Sequence, residues 1–122
     1  MTEEIKKLWP ELEWISDPDL REKTAHTWEL ALERSVLTAD DLNRIPFTLL
    51  CGPDLKVTFM DHKRCVVHVA RDAGLKMNEF FRNDLPVNMD VLVSGAILAD
   101  DWQTGGPSIP SFRCRRPGWH HR

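Results

Sequence analysis

With 122 residues and 14.1 kDa, the chain has material for one modest domain and not for two. Its 42% hydrophobic and 29% charged residues are an ordinary globular composition and exclude a collagen-like class. No apolar run approaches the roughly 18 residues of a membrane span, and Met1-Thr2-Glu3-Glu4 lacks the basic and apolar segments of a signal peptide. Cys51, Cys65 and Cys114 are an odd set without CxxC spacing, so neither a disulfide scaffold nor a zinc knuckle is encoded, and the expected compartment is the cytoplasm.

In chain order, residues 3–9 predict a short helix stopped by Pro10. Asp17-Pro18 sets an N-cap residue before proline at the first helical position, and the helix it opens runs to about Arg34. Thr38-Ala39-Asp40-Asp41 resembles a capping box with Asp in place of Glu. Ile45-Pro46 cannot begin a helix, and Cys51-Gly52-Pro53-Asp54 reads as a turn.

Thr58-Phe59-Met60-Asp61 repeats the cap pattern and opens the most regular helix. His62, Val66, Val69, Ala70 and Ala73 follow helical spacing, which predicts that they share its inner face, with His62 largely buried. Gly74 is expected to weaken or end that helix, with residues 75–81 resuming it. Asn88-Met89-Asp90 caps a last helix, on which Leu92, Gly95, Ala96 and Ala99 form a face suited to close packing. The fold class is all-α, a helical bundle, with no Gly-rich phosphate loop, GxSxG elbow or HExxH.

Chemistry must then come from side chains gathered by packing. His62 on an apolar face reads either as a satisfied core histidine or as a metal ligand. His68 lies about 240° around from it, too far to share a cation. Asp100 ends the apolar run Ala96-Ile97-Leu98-Ala99, and a helix-borne His and Asp from neighbouring helices suit a divalent metal ion.

The stretch Asp61-His62-Lys63-Arg64-Cys65-Val66-Val67-His68-Val69-Ala70, with Val91-Leu92-Val93-Ser94-Gly95-Ala96-Ile97-Leu98-Ala99-Asp100, resembles the first two motifs of the HD-domain superfamily of metal-dependent phosphohydrolases. The resemblance covers about residues 5–100. Trp14-Ile15, Asp19-Leu20-Arg21-Glu22-Lys23, Trp28 and Ile45-Pro46-Phe47-Thr48 look like the N-terminal region of a prokaryotic branch of that group. It implies an all-helical hydrolase fold with His62 and Asp100 as metal ligands, and a phosphorylated small molecule or nucleotide as substrate. Lys63 or Arg64 would be placed to contact a phosphate. Ala99 stands where the motif histidine belongs, and a methyl group cannot coordinate a metal. The later motif aspartate is not found either, so catalytic competence is not expected.

Residues 1–100 carry 12 Lys and Arg against 18 Asp and Glu, whereas residues 101–122 carry four Arg against one Asp, with three prolines and three glycines. The domain therefore reads as 1–100, followed by an irregular basic tail. Asp101-Trp102-Gln103-Thr104 must be encoded GAY-TGG-CAR-ACN, which one base forward allows Ile-Gly-Lys-Leu, the continuation the resemblance implies after Asp100. The expectation is a truncated or frameshifted relative, whose uncovered apolar faces would favour self-association. Two other readings stay open: a non-catalytic helical binding or regulatory module, and a nucleic-acid-binding adaptor working through the arginines of the tail.

Overall fold

The computed structural model describes residues 1–46 and 54–99. The expected turn at 51–54 lies outside them except for Asp54, as do Asp100 and the tail. The described residues are mostly helical and contain no strand, in keeping with the all-α expectation. The elements are α1 (Glu3–Leu8), a 3-10 turn (Pro10–Trp14), α2 (Pro18–Arg34), α3 (Ala39–Leu42), α4 (Phe59–Phe81) and α5 (Met89–Leu98). None of these helices is long and apolar enough to cross a membrane.

Each long helix starts where its cap residue dictates. Asp17 accepts from the Asp19 and Leu20 amides ahead of Pro18. Thr58 and Asp61 form a reciprocal box at the head of α4: the Thr58 hydroxyl accepts from Asp61 N at 3.1 Å, and the Asp61 carboxylate accepts from Thr58 N at 3.0 Å. Asn88 accepts from Val91 N at 3.2 Å to open α5.

The same box at α3 is a pH-sensitive element. Thr38 N donates to Asp41 at 2.9 Å and the Arg44 guanidinium donates at 2.6 Å. Hydrogen bonds from the Thr38 amide and hydroxyl hold the Asp41 carboxyl below its ordinary value; burial opposes them, and the Arg44 guanidinium lowers it further by smaller amounts. A depressed folded-state pKa gives stability that is present above the unfolded value of about 3.9 and lost as pH falls through the folded value. An NMR titration should therefore place the Asp41 midpoint below that of an unfolded-peptide aspartate, and Thr38→Ala, which removes the hydroxyl but keeps the amide donor, should raise it only in part.

Trp9 and Trp28, both wholly buried, meet edge to face with ring centroids 5.4 Å apart at the centre of the core. Ile5, Leu8, Leu12 and Ile15 pack around them from the N-terminal segment, and Met60, Val67, Val93 and Ile97 from α4 and α5. Polar bonds fix the register of α2 on α5. Trp28 Nε1 donates to the Ile97 carbonyl at 2.9 Å, and the Thr24 and Ser94 hydroxyls meet at 2.7 Å. The Asp90 carboxylate accepts from Ser16 N at 2.9 Å and Asp17 N at 3.0 Å, tying the start of α5 to the entry of α2.

Two expectations about the helices change. Gly74 does not interrupt α4, which runs unbroken for 23 residues. A Cβ at Gly74 would lie inside contact distance of Leu92 Cδ2 and 2.9 Å from Met89 Sδ, so the glycine is where α5 presses closest on α4. The second change concerns which faces are buried. On α4 the inner face is Met60, Lys63, Val67 and Gly74, about 100° around the helix from the apolar stripe of His62, Val66, Val69 and Ala73. His62 is accordingly exposed. On α5 the buried residues are Val93, Ser94 and Ile97, while Gly95 faces open space.

Candidate functional site

The start of α4 and the end of α5 come together around a hollow of about 20 Å³, room for one water-sized group, lined by His62, Lys63, Val66, Ala96 and Ala99. The two stretches that carry the motif resemblance thus meet at one point. His62 stands at this hollow on the exposed side of α4, and Ala99 closes α5 opposite it. Asp100, the second expected ligand, lies outside the described residues.

Lys63 is the most constrained group here. It is 5% exposed, and its ammonium donates to the Ala99 carbonyl oxygen, one of the acceptors left over at the end of α5. The ring centroids of Phe59 and Trp28 lie 5.8 and 6.0 Å from Nζ, so two aromatic faces and a helix C-terminus accept the charge. The lysine therefore turns inward onto α5 instead of out toward solvent.

Those surroundings bear on whether a divalent cation suits the hollow. Its described walls supply one imidazole, three apolar side chains and an ammonium. Ala99 has no donor, and a fixed positive charge beside His62 opposes a second one. Among the described residues no three His, Cys, Asp or Glu side chains gather into a metal-holding group. Among the described residues lining the hollow, His62 is the side chain able to ligate a metal ion.

Arg64, the other residue expected near a phosphate, points to the opposite side of α4. Its Nε donates to Glu11 Oε2 at 2.8 Å, and His68 Nε2 lies 2.8 Å from the same oxygen. Glu11 is 2% exposed, and its Oε1 has no hydrogen-bond partner. Trp14 completes the cluster, edge to face with His68 at 4.7 Å and 4.6 Å from the Arg71 guanidinium carbon. Sequence reading sets His68 on a different side of the helix from His62, and gives no sign of the buried Glu11 it meets. The only signal was the three-residue spacing of Trp9, Leu12 and Ile15, which a 3-10 turn buries together.

Comparison with protein families, with curated proteins and with solved structures finds no match to this chain.

Proposed function

We propose that the chain is an HD-domain-like helical unit that does not hydrolyse phosphoesters itself and works as a non-catalytic binding or regulatory module. The observation that supports this most directly is the contact between Lys63 and Ala99. At the point where the resemblance would seat a metal between His62 and Asp100, the residue before the aspartate offers only a methyl group, and its carbonyl accepts from an ammonium. A catalytic metal site commonly uses three protein ligands, and here the motif supplies at most His62 and Asp100. A bundle that keeps its core and caps while losing ligands retains a surface for binding, not the means to generate a metal-bound nucleophile.

The test has two arms. Hydrolysis of generic phosphoesters with magnesium, manganese, zinc or cobalt should stay at background, and His62→Ala should change nothing. Metal-dependent turnover abolished by His62→Ala would overturn the reading. In the second arm, Ala99→His restores the missing donor. If the two motifs meet as an HD-type pair, calorimetry should then detect divalent-metal binding that His62→Ala and Asp100→Ala each remove. Absence of binding in Ala99→His would count against the HD-type origin while leaving the non-catalytic reading intact.

A further inference from the structure

Among the described residues the buried polar or charged side chains are Glu11, Thr24, Lys63 and Ser94. Thr24 and Ser94 meet each other, and Glu11 meets Arg64 and His68. Lys63 is the cation of the set, and an ammonium taken out of water is costly unless its charge is met. What meets it comes from three separate helices. Phe59, one turn earlier on α4, and Trp28 of α2 set their rings beneath Nζ, and the Ala99 carbonyl at the end of α5 accepts from it. Two ring faces and a helix C-terminal carbonyl, held away from water, are the groups that recognise an alkylammonium ion.

The end of α5 is where a cation acts most strongly, because the helix dipole is negative there. Its C-cap residue, Ala99, has φ −59° and ψ 131°, so the chain leaves the helix extended and not through the left-handed turn that closes many helices on their own carbonyls. Carbonyls of the last turn are met from other helices. Trp28 Nε1 donates to Ile97 O at 2.9 Å, and Lys63 Nζ donates to Ala99 O. The small side chains of Ala96 and Ala99, which line the hollow with Lys63, leave room for the ammonium. We infer that this is an ammonium-binding cage filled by the chain itself. The Lys63 ammonium is a tethered ligand that holds the last turn of α5 closed and fixes where the chain leaves the bundle at Ala99. The ligand class of the cage is a primary alkylammonium, whether or not the two stretches descend from a metal-binding pair.

Two variants of the full chain test this, read by hydrogen exchange of the backbone amides. Lys63→Met keeps the length and apolar stem of the side chain and removes the charge. The amides of residues 96–98 should then exchange at least ~10-fold faster, while those of α2 and the middle of α4 keep wild-type rates. Lys63→Ala empties the cage, and n-propylammonium supplies the missing atoms. It should return the protection saturably, in the roughly millimolar range of so small a ligand. 1-Propanol, equal in size and uncharged, and sodium chloride at matched ionic strength should not. Wild-type exchange in Lys63→Met would overturn the proposal by showing that the apolar stem suffices, and so would equal rescue by 1-propanol. Uniform loss of protection across α2, α4 and α5 would overturn it too, by making Lys63 a support of the whole core and not a hold on the end of α5. Where Lys63→Ala fails to fold, Lys63→Met alone decides. Each of these failures leaves background phosphoester hydrolysis as the expected result, since that follows from ligand count.

Discussion

Gly74→Ala should lower stability by about 1–3 kcal/mol, the usual cost of overpacking, and Gly95→Ala should raise it by about 0.5–1 kcal/mol. The two substitutions make the same chemical change inside helices, so intrinsic propensity favours alanine at both sites. Packing separates them. At Gly74 the new methyl meets Leu92 Cδ2 and Met89 Sδ, and α5 must slide or both side chains must leave their rotamers. At Gly95 nothing lies within 4 Å, and the gain in helix propensity is kept. Urea denaturation of both variants decides it. Equal stabilisation would mean that α5 does not sit against α4 at Gly74, and the hollow beside His62 and Ala99 would lose its structural basis.

The two glycines also illustrate what was legible in the sequence. Helix starts are local chemistry, and Asp17-Pro18, Thr38 with Asp41, Thr58 with Asp61, and Asn88 each cap a helix where the pattern placed it. Facing is not local. Apolar periodicity selects Val66, Val69 and Ala73 for the interior of α4, yet that interior includes Lys63 and Gly74, neither of which scores as apolar. Each is buried for a reason that exists only after assembly. Lys63 meets the Ala99 carbonyl and two aromatic rings, and Gly74 makes room for Leu92. On α5, Ser94 is inside because Thr24 of α2 meets it. A polar residue with a waiting partner can be buried as firmly as a valine, and a period count misses it.

The same facing explains how the motif residues sit. Once α4 turns Met60, Lys63 and Val67 toward the Trp28 core, His62 and Val66 must face outward, beside Lys63. Ala96 and Ala99 fall on the matching edge of α5, so the two motif stretches meet at the rim of the bundle and not in its interior. The juxtaposition of the two helices was foreseeable from the paired motifs. The lysine between them was not, because its burial depends on the end of α5.

The Arg64→Ala/His68→Ala double variant should lose about 2–4 kcal/mol of stability, whereas Glu11→Leu alone should cost no more than about 1 kcal/mol. Glu11 is the buried member of its cluster, and Arg64 and His68 are its half-exposed donors. Removing both donors strands a carboxylate that already has one unpartnered oxygen, and water must then reach a group lodged beside the Trp9 and Leu12 layer. Removing the carboxylate strands nothing. Arg64 and His68 return to solvent, the unmet acceptor disappears, and leucine fills similar volume among apolar neighbours. The triple variant with Glu11→Leu should therefore be more stable than the donor-less double variant. Chemical denaturation of the four proteins forms a cycle whose interaction energy reads the penalty directly. If Glu11→Leu costs as much as losing both donors, the ion cluster is a net source of stability, and the 3-10 turn is held to α4 by charge instead of by its buried Trp9, Leu12 and Ile15.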